Sequence, residues 1–220
     1  MKQFARDNGL VLTLLAMFAI SLIGQAVSGW HAYSEELSQH RQPALLFGQY
    51  LTSGHFLSAL FENWESEFLQ MAAYVLLTVF LFQKGSPESR KIDEHNPQDD
   101  IPASASRKRS SPWPVRKGGL YLWVYSHSLG IALGLLFLGS FLGHLYASNR
   151  LANDEAVRHG GPLHAVGDTL GSAEFWFESF QNWQSEFLSV AVLLLLSIYL
   201  REKGSPESKP VMAPHAETGH

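Results

Sequence analysis

The sequence contains no cysteine among its 220 residues. Disulfide bonds, cysteine-ligated metals and thiol catalysis are therefore excluded. The chain also lacks the glycine motifs that bind phosphates and dinucleotides, the G-x-S-x-G motif of hydrolases and the H-E-x-x-H motif of zinc proteases. No arrangement of Ser, His and Asp marks a nucleophile. These absences predict a protein that is not an enzyme and that binds no cofactor or metal.

Charged side chains are missing from two long stretches. Residues 8–30 contain none, and residues 118–149 contain only two histidines. Each stretch exceeds the roughly 20 residues with which a helix crosses a bilayer, so we expect two membrane-spanning helices here. A cleavable signal peptide is the alternative for the first stretch, because a positive start precedes it and small residues follow it.

Two other stretches of the chain are nearly the same. FENWESEFLQMAAYVLLTVFLFQKGSPES (61–89) and FQNWQSEFLSVAVLLLLSIYLREKGSPES (180–208) align without a gap, with 17 of 29 positions identical. The same offset of 119 residues places Gly24 on Gly143 and Pro43 on Pro162. We interpret the chain as a tandem duplication of one unit.

The predicted fold is an all-α membrane protein with four transmembrane helices, built from two tandem parallel two-helix repeats with short interfacial helices in the outer loops. Repeat 1 is predicted at 1–89, with spans at about 9–30 and 63–84. Repeat 2 is predicted at 119–208, with spans at about 120–147 and 182–203. A flexible cytoplasmic linker at 90–118 joins the repeats, and a cytoplasmic tail follows at 209–220.

The distribution of Lys and Arg predicts the orientation. The N-terminal segment, the segment 84–117 and the C-terminal segment carry all of the 16 Lys and Arg residues except Arg41, Arg150 and Arg158. By the positive-inside rule, both termini and the linker are cytoplasmic. Because the basic residues of the linker have no interleaved aromatic side chain beyond Trp113, we expect no nucleic-acid binding.

Both repeated stretches end in KGSPES. Lys84 and Lys203 would place a cation near the end of the second helix, where the helix dipole favours it. Gly85 and Gly204 are expected in the left-handed conformation that closes a helix. The motif is interpreted as a stop signal at the cytoplasmic surface, and a phosphate or partner site is the alternative.

The other end of the repeated stretch, NWxSEF, supplies the candidate site. Trp64 and Trp183 are expected as anchors at the outer interface. Asn63, Glu67, Gln70 and Tyr74 share one helical face, which is predicted to point into the bundle. The predicted polar cluster consists of Glu67, Glu186, Asn63, Asn182, Gln25 and His144.

Two interpretations of the glutamates remain open. Each Glu can cap or brace the start of its own helix, where the dipole favours an anion. Alternatively, ionisable groups at membrane depth need partners, and the pair can bind a proton, a cation or a small cationic ligand. The histidines of the outer loops also suggest a metal, but no short H-x-x-x-H spacing supports it.

The motifs FENWESEFLQ, FQNWQSEFLS and the paired KGSPES resemble those of a family of small bacterial inner-membrane proteins known only as a domain of unknown function. The resemblance covers nearly the whole chain except the linker and the last ten or so residues. It implies a multi-pass protein of the bacterial inner membrane and no particular activity.

The sequence therefore favours a structural or regulatory membrane protein whose partners are the lipid bilayer, another membrane protein or further copies of itself. The alternative is a small proton or cation transporter or channel that works as an oligomer through Glu67 and Glu186, since four spans are few for a transport pathway.

Overall fold

The computed structural model describes residues 2–91, 94–100 and 110–219. Helices connected by turns and loops form this part of the chain, and it contains no strand, so the predicted all-α class is confirmed. The α-helices are α1 Lys2–Asp7, α2 Gly9–Gln39, α3 Phe47–Tyr50, α4 Gly54–Phe80, α5 Trp113–Lys117, α6 Gly119–Ser126, α7 Ser128–His159, α8 Val166–Leu170 and α9 Ala173–Tyr199.

The long helices extend into the regions predicted to be polar loops. Helix α2 continues nine residues beyond Trp30, and α4 begins nine residues before Asn63. No Gly or Pro interrupts α2 between Trp30 and its end, and the chain first leaves the helical conformation at Arg41, which has a φ of 58°. Gly160, with a φ of 69°, has the same role after α7. The loops are therefore shorter than predicted.

The predicted short helices of the loops are present as α3 and α8. The stretch that begins FGQYLTSGHFL forms α3 only over Phe47–Tyr50, and from Gly54 onward it already belongs to α4. A short helix is thus present in this loop, its interfacial position stays a prediction, and the second long helix starts earlier than its apolar run.

The apolar stretch that begins near residue 119 is divided at His127. Helix α6 ends at Ser126 and α7 begins at Ser128, where one continuous span from 120 to 147 was predicted. The hydroxyls of Ser126 and Ser128 donate to the carbonyls of Leu122 and Tyr125 at 2.6 and 2.8 Å. Such side-chain bonds compete with the backbone hydrogen bonds of a helix.

Part of the predicted flexible linker lies outside the described residues, namely 92–93 and 101–109. In its described part, the Asn96 side chain donates to the carbonyls of Glu94 and Lys91 at 2.9 and 3.3 Å and accepts from the Lys91 N–H at 3.1 Å. A short 3-10 helix follows at Pro97–Asp99. Hydrogen bonds therefore define this segment locally.

The chain divides into two compact units. The first unit contains Met1–Phe61 and Leu142–Phe175, and the second contains Glu62–Phe141 and Trp176–His220. The core of the first unit consists of Ala26, Tyr33, Leu37, Tyr50 and Phe56. In the second unit, aromatic rings of α7 and α9 pack on one another with centroids 5.4–6.3 Å apart: Phe137, Phe141, Trp176, Phe180 and Trp183.

The two KGSPES segments fold in the same way within the second unit. Gly85 and Gly204 have φ angles of 87° and 92°, which confirms the predicted left-handed conformation. They do not close the long helices, because α4 and α9 already end at Phe80 and Tyr199. The glycines instead belong to separate turns.

The same hydrogen bonds hold both of these turns. The N–H groups of Gln83 and Glu202 each donate to the hydroxyl of the last serine of their motif, Ser89 and Ser208, at 2.9 Å. The first serine of each motif accepts from the N–H of its Glu at 3.2 Å. The serines therefore explain why the motif turns the chain away from the helix axis.

Candidate functional site

Two acidic residues of α4 bind two polar residues of α9 in the second unit. The indole Nε1 of Trp183 donates to the carboxylate of Glu65 at 2.9 Å, and Glu65 is fully buried. The Asn182 amide donates to the Glu62 carboxylate and, at 3.2 Å, to the Glu178 carbonyl. We call the set Glu62, Glu65, Asn182 and Trp183 the α4–α9 polar contact.

Both acids of this contact were missed in the cluster predicted from the sequence. Glu62 and Glu65 align with Gln181 and Gln184 of the second copy, so the acids occur in one copy only. This difference between the two stretches could have indicated the contact from the sequence. A hydrogen-bond acceptor that is needed at one place only does not have to occur in both stretches. The predicted cluster was instead based on residues that the copies share, and these include Glu67 and Glu186.

The predicted pair Glu67 and Glu186 lies in the same unit. Glu67 is exposed and Glu186 is half-buried, and their carboxylates are within electrostatic range of each other. The assignment of these two residues to one proton or cation site stays a prediction.

The helical face that carries Asn63, Glu67, Gln70 and Tyr74 is only partly buried. Asn63 and Glu67 are exposed, whereas Gln70 and Tyr74 are half-buried. The buried side of α4 here carries Glu65 and Ala72, which are seven residues apart and thus on one face. The orientation of Asn63 and Glu67 toward the interior of a four-helix bundle stays a prediction.

Gln25 and His144 belong to the first unit. Gln25 is half-buried on α2, and His144 is completely buried on α7, where its ring packs on Phe175 with centroids 4.7 Å apart. Trp64 is half-buried in the second unit, like Trp183. A single cluster of all six predicted residues stays a prediction.

A second polar group, which was also not predicted from the sequence, surrounds His55 in the first unit. The His55 ring stacks on Tyr33 with centroids 4.4 Å apart, and its Nδ1 is 3.3 Å from the Tyr50 hydroxyl. Arg158 donates to the Tyr33 hydroxyl at 2.9 Å and lies 3.9 Å from the Glu36 carboxylate. We call these five residues the His55 cluster.

Tyr50 reaches this cluster because residue 29 is glycine. A Cβ at Gly29 would collide with the Tyr50 hydroxyl, which lies against α2 at this position. Tyr50 is 2% exposed and belongs to the core of the first unit. The short helix α3 is thus held against α2 by a buried aromatic ring whose polar end reaches His55.

Burial lowers the pKa of His55, and the Arg158 guanidinium lowers it further, while the Glu36 carboxylate opposes both. The ordinary pKa of histidine is about 6.5. As the pH falls below that value, the unfolded chain takes up a proton before the folded chain does. We therefore expect the free energy of unfolding to decrease from about pH 6.5 downward, until the lowered pKa is passed.

Thermal unfolding in detergent between pH 7.5 and pH 5 measures this effect. His55→Gln keeps a hydrogen-bonding side chain without a proton to gain, so its unfolding temperature is expected to fall less at low pH than that of the wild type. His31→Gln, at an exposed histidine, is the control and should retain the wild-type slope. Equal slopes for the wild type and His55→Gln would contradict the expectation.

These elements define an all-helical protein with, in the part of the chain that the structure describes, two helices long and apolar enough to cross a membrane, α2 and α7. The chain belongs to the family described as Domain of unknown function (DUF6766), which matches residues 1–220. The predicted membership of an uncharacterised family is thus confirmed, and the match includes the linker and the tail. Curated proteins and solved structures provide no match to the chain.

Proposed function

We propose that the chain is a multi-pass protein of the bacterial inner membrane, with four spans and both termini in the cytoplasm. The exposed apolar surface of α2 supports this placement, since Leu10, Ile20 and Ile23 are 76%, 71% and 64% exposed. Apolar surface on that scale is unfavourable in water and favourable in lipid. The positive-inside distribution of Lys and Arg supports the orientation.

Hydrogen bonds at equivalent positions support two parallel repeats. Trp30 donates to the Leu45 carbonyl at 2.7 Å, and 119 residues later Asn149 donates to the His164 carbonyl at 3.0 Å. Ser66 and Ser185 each donate to the carbonyl three residues before them at 2.8 Å. Two copies of one unit would produce such matched bonds with the same orientation in each copy.

The function that the geometry supports best is a structural or partner-binding one within the membrane. The α4–α9 polar contact carries this proposal: the variable acids of the repeated motif are occupied in holding the two second helices together. Polar side chains whose hydrogen bonds are made to a neighbouring helix hold the two helices together, which is a structural role and not a catalytic one. The expected partners are lipid, another membrane protein or a second copy.

A small proton or cation pathway is the second candidate, and one observation favours it. Glu67 and Glu186 lie within electrostatic range of each other, and Glu67 is exposed. Two acids near the mouth of a bundle can pass a proton or attract a cation. With four spans, such a pathway would require an oligomer.

The double variant Glu67→Gln and Glu186→Gln separates the two candidates. The protein is reconstituted in liposomes that contain a pH-sensitive dye, and dye fluorescence is recorded after a pH gradient is imposed. The structural proposal predicts that the wild type and the double variant give the same trace as empty liposomes, with a change only in stability or assembly.

A wild-type flux that the double variant abolishes, with the folded protein intact, would contradict the structural proposal and establish the pathway. Glu174→Gln is the matched control, because Glu174 is an exposed acid in the first turn of α9. Its flux should equal that of the wild type under either proposal.

A further inference from the structure

A narrow cavity of about 310 Å³ lies between the C-terminal halves of α4 and α9 in the second unit. Along α4 it is lined from Gln70 to Thr78, which is about 12 Å of helix at 1.5 Å per residue. Its volume is at the lower end of the roughly 300–1,000 Å³ typical of small-molecule sites. This volume over this length suits one extended hydrocarbon chain better than a compact ring system.

The wall of the cavity is apolar over most of its length and open to the surroundings. Helix α9 contributes only apolar residues: Phe187, Val190, Ala191 and Leu194. Leu77 of α4 and Leu81, which directly follows α4, line the cavity and are nevertheless 51% and 60% exposed. A ligand can therefore enter from the side, which is the hydrocarbon region in the membrane placement proposed above.

One end of the cavity is acidic. Glu88 lines it, and the Tyr74 hydroxyl donates to the Glu88 carboxylate. Glu207, the equivalent of Glu88 in the second KGSPES motif, is also within electrostatic range of Tyr74. Among the lining residues that the structure describes, Glu88 is the one charged group.

The nearest residues along the chain do not reverse this charge. Arg90 lies over the Phe82 ring, 5.7 Å from its centroid, and its guanidinium is paired with Asp99. The head of a ligand at this end would thus meet a carboxylate and a hydroxyl. Carboxylates form their strongest hydrogen bonds with cationic donors, so the end favours an ammonium group and disfavours an anion.

We propose that this cavity is a binding site for a phospholipid with a primary ammonium head group, of the phosphatidylethanolamine class. One acyl chain lies along α4 and α9, and the ammonium group donates to Glu88 beside Tyr74. Close contacts of the acyl chain with the apolar wall supply affinity, and the carboxylate supplies the choice of head group. The proposal rests on the membrane placement and goes beyond it by naming the ligand and its residues.

Native mass spectrometry of the full chain in detergent tests the proposal. Phosphatidylethanolamine and phosphatidylglycerol with the same acyl chains are added in equal amounts, and the bound fractions are compared. The wild type is expected to prefer the ethanolamine lipid. Glu88→Gln should reduce that preference about fivefold to tenfold, because a charge-assisted hydrogen bond is lost. Glu94→Gln, at an exposed acid of the following segment, should retain it.

A second variant tests the binding of the acyl chain of the lipid without changing any charge. Ala73→Leu narrows the cavity and should reduce the binding of both lipids by about tenfold, since the added side chain occupies space that the acyl chain needs. Val192→Leu is the matched control, because Val192 is the aligned residue of the second repeat and does not line the cavity. It should bind both lipids as the wild type does.

Three results would overturn the proposal. Equal binding of the two lipids by the wild type, or an unchanged preference in Glu88→Gln, would remove the assigned head-group site. A dimer that Ala73→Leu dissociates, without bound lipid, would assign the cavity to a second copy. Failure of the wild-type chain to fractionate with membranes would overturn the membrane placement itself, and this separates the two proposals.

Discussion

Gly54→Ala is expected to lower the free energy of unfolding by about 2–3 kcal/mol. Helix α4 begins at Gly54 against the backbone of α7 in the first unit. A Cβ at this position would lie 2.6 Å from the Leu151 nitrogen, 2.9 Å from its Cα and 3.1 Å from the Ala147 carbonyl oxygen. Because backbone atoms cannot rotate away as a side chain can, the two helices must separate.

The second copy provides the matched control for this prediction. The residue aligned with Gly54 is Ala173, which is exposed at the start of α9. Ala173→Gly should therefore cost no more than about 1 kcal/mol, through backbone entropy alone. Gly48→Ala, where nothing lies within 4 Å of the added Cβ, should be neutral or slightly stabilising.

Unfolding in mild detergent with increasing denaturant, followed by tryptophan fluorescence, measures all three variants. If Gly54→Ala is as stable as Gly48→Ala, the close approach of α4 to α7 is not a feature of the folded protein. If Gly54→Ala yields no folded protein while both controls fold, the result agrees with a large loss at this one contact.

Glu65→Leu is expected to cost about 2–3 kcal/mol, although leucine is the more apolar residue at a fully buried position. The substitution removes the acceptor 2.9 Å from Trp183 Nε1 and leaves an N–H group of a half-buried side chain without its carboxylate. A donor that is shielded from water and loses its partner retains a cost of desolvation. Glu65→Gln should cost less, since its amide oxygen can still accept the bond.

The aligned residue again provides the control. Gln184 is exposed, so Gln184→Leu should change the free energy of unfolding by less than about 0.5 kcal/mol. A double-mutant cycle of Glu65→Leu with Trp183→Phe isolates the pair, and a coupling of about 1–2 kcal/mol is expected. Additive effects of the two substitutions would show that the bond from Trp183 to Glu65 does not stabilise the protein.

The two pairs of acidic residues in the repeated motif are tested by different experiments, one on stability and one on flux. Glu62 and Glu65 differ between the copies and contact α9 directly, whereas Glu67 and Glu186 are shared and lie near each other. Loss of stability without loss of flux is expected for the first set. The flux experiment on the second set decides whether the protein also moves protons or cations.

The helical class, the two long apolar helices and the left-handed glycines of KGSPES were all predictable from local sequence. Each follows from chain composition or from the conformation of single residues, which neighbours along the chain determine. The family resemblance likewise depended only on the motifs. The helix ends were less predictable, because α2 and α4 continue past their apolar runs without any residue that would stop them.

Only the tertiary structure decided which acids of the repeated motif meet a partner. Glu65 and Glu67 are two positions apart, which is about 200° around a helix, so they lie on nearly opposite faces. Helix α4 carries apolar residues on several sides, and its sequence therefore does not indicate which face packs on α9. The sequence by itself determined the helical class and contains the two similar stretches. Packing selected Glu65 over Glu67 and assembled the His55 cluster from α2, α3, α4 and α7, because these contacts join residues far apart in the chain.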